Sequence, residues 1–468
     1  MINEFVSLVN NILWGDGQVL IIMLLACGIW FTVKLGGVQL RHFGHMFSLL
    51  KGSNTSTKDG ISSFQALCTS LSARVGTGNL AGVAVAISLG GAGAIFWMWM
   101  IALLGMATGF AESVLGQLYK VRDENGEFRG GPAYYIKQGL NKTWLAVAFS
   151  LCLFFGYGFV FSAVQANTIT DALNNAYSFP TEYVGLAIIA LAALIVVGGL
   201  KSIARFAEFV VPFMGIGYVL VALAITFINI SELPAMLLDI VKSAFGLQEA
   251  GAGALGAAIK NGIQRGLYSN EAGSGSVPHA AASAVPNPNH PVSQGYIQML
   301  GVFLDTLILC TSTAFIILLA GGSSSDQMEG IRLTQDAMSS HLGEGGTDFV
   351  AAAISLFAFT SVVANYAYGE SNLHMFKLDN KIGRAVYTIG YLGMIYWGAQ
   401  AALPQVWAMA DMALGLMTVI NIIAIVWMTP TIVSISKDYF KKKDSGANME
   451  YKAGDCEIQG KSEDGIWD

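Results

Sequence analysis

The chain has 468 residues, of which 54% are hydrophobic and only 12% charged, with a net charge of −6 and a mean hydropathy of +0.56. So few charges cannot coat a soluble globule of this size, which excludes an ordinary cytosolic enzyme, a disordered chain and a nucleic-acid binder. What remains is an all-α integral membrane protein.

A membrane-crossing helix needs about 20 mostly apolar residues, and about eleven segments qualify. In chain order they are 12–36, 61–88, 92–118, 144–172, 183–200, 206–228, 254–284, 293–320, 348–371, 384–402 and 405–433. No basic stretch precedes the first apolar run, so it does not read as a cleaved signal peptide. The loops follow a one-sided charge pattern. If the N-terminus lies outside, the cytoplasmic loops hold Lys34, Arg41, Lys51, Lys58, Lys120, Arg122, Arg129, Lys137, Lys142, Lys201, Arg205, Lys377, Lys381 and Arg384. The outer segments hold only Lys242 and Arg332, and the outer loop 322–348 is acidic, with Asp326, Glu329, Asp336, Glu344 and Asp348. This asymmetry predicts an outer N-terminus and a cytoplasmic C-terminus. The polar stretch 434–468 reads as a solvated, mobile cytoplasmic tail. Short loops and the lack of a targeting segment point to a prokaryotic cytoplasmic membrane.

The second segment contains Val75-Gly76-Thr77-Gly78-Asn79, a poor helix former. It reads either as an unwound centre whose free backbone groups bind a ligand, or as a small-residue packing face. In the fourth segment, Gln165 and Thr168 share a face, as interhelical polar glue or as substrate contacts. The seventh segment contains Gly266-Leu267-Tyr268-Ser269-Asn270-Glu271-Ala272-Gly273-Ser274-Gly275-Ser276, a second glycine-rich interruption that carries a carboxylate. Glu271 is a functional candidate at that depth, or a structural group that caps a half-helix or pairs with Arg74 or Arg265. The ninth segment offers the adjacent hydroxyls of Thr360 and Ser361, which either bond back to the preceding turn or serve as hard oxygen donors for a small cation.

The two interruptions lie five segments apart, so their helices run in opposite directions. Paired broken helices at matching places in two inverted halves mark the binding site of a secondary transporter. The segments divide into a peripheral N-terminal helix with its loop (1–59), a first five-helix repeat (60–230), a second, inverted repeat (231–433) and the tail. Two motifs carry no chemistry. Gly251-Ala252-Gly253-Ala254-Leu255-Gly256 matches a dinucleotide-binding pattern but lacks the preceding strand. Cys27, Cys68, Cys152, Cys310 and Cys456 form no C-x-x-C pair and read as small buried or tail residues. The six histidines show no metal-ligand spacing, no catalytic constellation is visible, and no cofactor is expected.

Gly90-Gly91-Ala92-Gly93-Ala94-Ile95-Phe96-Trp97-Met98-Trp99, with the stretches 75–84 and 266–276, resembles the hallmark segments of the alanine or glycine:cation symporter family. The resemblance covers about residues 10–435. It implies a leucine-transporter-type fold of the amino acid–polyamine–cation superfamily, with Na+ as the coupling ion and alanine, glycine or glutamine as the neutral substrate. It also implies that the carbonyls of Ser72, Val75 and Phe357 and the hydroxyls of Thr360 and Ser361 meet sodium. Thr77, Gly78 and Asn79 would meet the substrate carboxylate, and Gln165 with the 267–273 stretch, including Leu267, Tyr268, Ser269, Asn270 and Gly273, would line the rest. Arg74 departs from the small residue expected beside an unwound segment; it would pair with Glu271 or Asp305, or face the cytoplasmic vestibule. Two other readings stand beside this one: a proton-coupled transporter with Glu271 or Asp305 as proton carrier, and, more remotely, an ion channel.

Overall fold

A computed structural model describes residues 2–15, 17–53, 60–123, 126–196, 198–247, 252–321 and 330–468. Lys58, Gly251, Ser323–Ser325, Asp326 and Glu329 lie outside the described residues. The architecture is helical, and its sheet content among the described residues is two two-stranded ladders. Among the described residues six helices are long and apolar enough to cross a membrane, or seven if Ile2–Trp14 and Val19–Lys34 count as one bent span. The expected first segment, 12–36, is thus cut near Gly15 and Gly17, where a helix is costly.

The helix Gly199–Ile228 shows what the surroundings are. Phe209, Phe213, Ile216, Leu220, Leu223 and Phe227 recur every three or four residues and are all exposed, Phe209 to 80%. An apolar stripe of that length facing outward suits hydrocarbon, not water.

Two broken helices form the centre. The first starts at a capping box: the Ser62 hydroxyl accepts from the Gln65 amide at 3.1 Å, and the Gln65 side chain accepts from the Ser62 amide at 3.0 Å. It runs as Ser63–Arg74, leaves helical geometry at Val75 (φ −76°, ψ 96°), and resumes as a π-helical turn, Gly78–Gly82, followed by Val83–Gly90. The second runs as Ala252–Asn270, breaks, and resumes as Val277–Ser283 with Pro278 in its first turn. The two lie side by side in opposite directions. Ile61–Ser62, just before the first, pairs in parallel with Ala284–Val285, just after the second. At mid-length, a methyl added to Gly78 would sit 3.2 Å from the Ser269 Cα, and at the far end one added to Gly90 would sit 3.0 Å from the Ala257 carbonyl oxygen.

The tail departs from expectation. Thr429–Ser445 is helical, and residues beyond it fold back onto the protein. Tyr451 and Trp467 are buried; the Trp467 indole donates to the Leu118 carbonyl at 3.1 Å, and the Tyr451 amide donates to the Asn289 carbonyl at 2.9 Å. A stretch that is polar on average is held down by two aromatic anchors, which an averaged hydropathy does not register.

Candidate functional site

The first break is made by glycine. A methyl on Gly76 would lie 2.5 Å from the Ser361 hydroxyl and 2.6 Å from the Gln165 carboxamide oxygen, so only a residue without a Cβ lets these groups converge. With the helix interrupted, the Val75 carbonyl faces the helix Gly345–Met375, where it accepts from the Ser361 hydroxyl at 3.2 Å. Ser361 also reaches the Phe357 carbonyl at 3.3 Å, and the Thr360 hydroxyl donates to that carbonyl at 2.8 Å. The Ser72 hydroxyl donates to the Thr360 carbonyl at 2.8 Å. The five residues named for sodium therefore meet in one buried oxygen-rich cluster, with Ser72 joining through its hydroxyl. Among the described residues no group of three or more His, Cys, Asp or Glu side chains is placed to hold a metal. Neutral, hard oxygens are donors for a small alkali cation rather than for a transition metal.

Thr77 turns the other way. Its amide and hydroxyl both donate to the Gln165 carboxamide oxygen, at 2.9 and 2.7 Å, tying the first break to the helix Phe161–Tyr177. The Asn79 carboxamide oxygen accepts the Gly76 amide at 3.0 Å, and its nitrogen donates to Asp305 at 2.7 Å. Asp305 also accepts from the Ser269 hydroxyl at 2.5 Å and from Thr306 at 2.9 Å. Asp305 lies in a π-helical stretch, Phe303–Cys310, packed against the π-helical turn of the first break. Such wide turns often mark functional positions. This carboxylate joins the two broken helices.

Between the breaks lies a small cavity of about 10 Å³, room for about one water molecule. It is lined by Gln165 and Tyr268, both foreseen from the sequence, together with Ala73, Arg74, Glu271 and residues not singled out for the site: Tyr157, Phe161, Asn365 and Leu414. Tyr157 sits in a third π-helical turn, Gly156–Val160, and its Gly-Tyr-Gly triplet was a readable signal. Thr77, Gly78, Asn79, Leu267, Ser269, Asn270 and Gly273 do not line this cavity: Leu267 is fully buried, and the Asn270 side chain accepts the Ala272 amide at 3.0 Å.

Arg74 reaches neither Glu271 nor Asp305 within ion-pair distance. Its guanidinium donates to Gln298 at 2.9 Å, to the Asn270 carbonyl at 3.4 Å, and to the hydroxyl and carbonyl of Ser70. A planar fork with five donors is satisfied by several neutral acceptors at once. Glu271, at φ 57°, accepts from the Ser276 hydroxyl at 2.6 Å. Arg265 pairs instead with Asp411, at 2.5 and 2.7 Å, and stacks over Trp407 with its guanidinium carbon 4.5 Å from the ring centre. This pair and the Tyr268–Trp407 contact (4.7 Å between rings) stand between the central cavity and a much larger one of about 890 Å³ that Arg265, Trp407 and Asp411 help to line.

The chain matches the sodium:alanine symporter family over residues 1–453. It is 46% identical over 447 residues to the probable sodium/glutamine symporter GlnT of Bacillus subtilis (strain 168), covering 95% of this chain and 92% of that one. It is 43% identical to the amino-acid carrier protein AlsT of the same organism, covering 96% and 95% of the two chains. It is 37% identical to the sodium/alanine symporter AgcS of Methanococcus maripaludis, covering 93% and 97%.

Proposed function

The chain belongs to the sodium:alanine symporter family, and from that premise we propose that it is a sodium-coupled symporter that imports a small neutral amino acid by alternating access. The observation that carries this reading is the convergence of the Val75 and Phe357 carbonyls with the Thr360 and Ser361 hydroxyls at a helix break beside a small central cavity. In this reading the oxygens, with Ser72, hold sodium. The amides and hydroxyl around Thr77, Gly78 and Asn79 receive the substrate carboxylate, and Gln165, Tyr268 and the rest of the 267–273 stretch enclose the substrate.

The chain is read as about eleven spans in a leucine-transporter-type arrangement: one peripheral helix and two inverted five-helix repeats over 60–230 and 231–433. The antiparallel course of the broken helices and the ladder joining their ends support it. The loop charges support an outer N-terminus. In that orientation the Arg265–Asp411 pair closes the outer route, and the small central cavity belongs to a closed stage of the cycle, which expands when the substrate enters.

The energetics suffice with one ion. A sodium ion moving through ~100 mV releases roughly 2.3 kcal/mol, and a tenfold gradient adds about 1.4. Together they sustain roughly 500-fold accumulation of a neutral solute. Alanine and glycine suit a tight centre between two glycine-rich breaks, with glutamine the alternative.

The test is uptake of radiolabelled alanine into proteoliposomes under an inward sodium gradient and with potassium substituted, with glycine, glutamine and leucine as competitors. Sodium-dependent accumulation blocked by glycine is expected. Accumulation blocked only by glutamine changes the substrate, and uptake driven by a proton gradient without sodium refutes sodium coupling.

A further inference from the structure

The second break is not open in the way the first is. Gly273 and Gly275 both have positive φ, 93° and 87°, and their amides point at one carboxylate. The Gly273 amide donates to Glu112 Oε1 at 3.0 Å, and the Gly275 amide donates to Glu112 Oε2 at 3.1 Å. Glu112 lies within the helix Gly93–Leu118 and is fully buried. A third donor, the Asn421 carboxamide nitrogen, reaches Oε2 at 2.7 Å and also donates to the Gly273 carbonyl at 2.9 Å. The Tyr135 hydroxyl donates in turn to the Asn421 carboxamide oxygen. Among the described residues no lysine or arginine lies within ion-pair distance of Glu112.

A buried carboxylate is costly unless donors surround it, and two amides turned the same way form an anion-binding concavity. Here the chain supplies its own anion. The turn so held carries Glu271 and follows the helix end that carries Tyr268, and both of those side chains line the central cavity. Asn421 lies on the helix Leu403–Trp427, which also supplies Leu414 to that cavity.

We infer that Glu112 is a positioning residue for the central cavity: its carboxylate is the resident anion of the second break and, through Asn421, sets where Tyr268 and Glu271 stand relative to Leu414. The inference rests on the transport reading above.

The experiment compares Glu112→Gln, Glu112→Asp and Asn421→Ala in proteoliposomes, with alanine KM and Vmax read separately and sodium binding to the purified proteins measured without substrate. Glu112→Gln removes the charge and turns an N–H donor toward at least one of the three donors, the Gly273 amide in its better orientation. Its alanine KM is expected to rise about tenfold or more, since hydrogen bonds to a charged group are at stake, while substrate-free sodium binding stays unchanged. Glu112→Asp keeps the charge at shorter reach and falls between wild type and Glu112→Gln; Asn421→Ala raises KM about threefold to tenfold. A purely structural role lowers the amount of active protein and Vmax without moving KM, so an unmoved KM in Glu112→Gln overturns the inference. If that variant does not fold, an unmoved KM in Asn421→Ala overturns it equally. Wild-type protein that fails to accumulate alanine on sodium refutes the transport reading, whereas sodium-driven wild-type uptake with unmoved KM values refutes only the role of Glu112.

Discussion

The two breaks use one device with opposite polarity. At Val75 the interrupted helix presents carbonyl oxygen to a cluster of hydroxyls, with no carboxylate among those donors. At Gly273 and Gly275 the interrupted helix presents amides, and Glu112 meets them. Interrupting a helix frees both donors and acceptors, and local packing decides which set is left over. In the reading proposed above, the first break is left for a cation; at the second, the amides of Gly273 and Gly275 are met from within by Glu112. Asp305 links them, accepting from Asn79 of one and Ser269 of the other.

The sharpest way to break this comparison is to fill the first break. Gly76→Ala places a methyl within 2.6 Å of both the Ser361 hydroxyl and the Gln165 carboxamide oxygen. Something must move, and overpacking of this kind costs about 1–3 kcal/mol in a closed site. Transport is expected to fall by more than about tenfold, with both sodium and alanine half-saturation values raised, measured as initial uptake rates. Gln165→Ala comes next. It leaves the Thr77 amide and hydroxyl without their shared acceptor, at about 1–3 kcal/mol for unmet buried groups. Alanine KM is expected to rise about tenfold with a smaller change in sodium half-saturation, in the same assay. An unchanged KM would detach Gln165 from the substrate site. The smallest effect belongs to the tail. Trp467→Ala removes an anchor whose hydrogen bond goes to Leu118 rather than to either break, so protease sensitivity of residues beyond 446 should rise while uptake changes by less than about twofold. A large loss of uptake would tie the tail to the cycle.

Much of the centre was legible because broken helices are chemically loud. Gly-Thr-Gly-Asn and Ser-Asn-Glu-Ala-Gly-Ser-Gly interrupt apolar runs, and both interruptions are breaks in the structure. Thr360 and Ser361 were readable for the same reason. What was missed depends on which way a regular helix faces. Phe161, Asn365 and Leu414 sit in unbroken turns, and nothing local separates a cavity-facing residue from a packing one. Glu112 is different. A single carboxylate in an apolar helix carries a heavy penalty and was a visible signal. Its purpose depends on the fold, because its partners lie 161, 163 and 309 residues away along the chain. The tail erred in the other direction: composition averaged over 434–468 hid two aromatic anchors.

The central claim is that the first break, with the hydroxyls opposite it, is the cation site. It is tested most directly by sodium binding to purified wild-type and Thr360→Ala/Ser361→Ala proteins, followed with and without alanine. The account predicts saturable sodium binding that alanine strengthens in the wild type, as linkage requires, and a loss of sodium affinity of about a hundredfold or more in the double variant. Sodium binding and sodium activation that are unchanged in the double variant would contradict it.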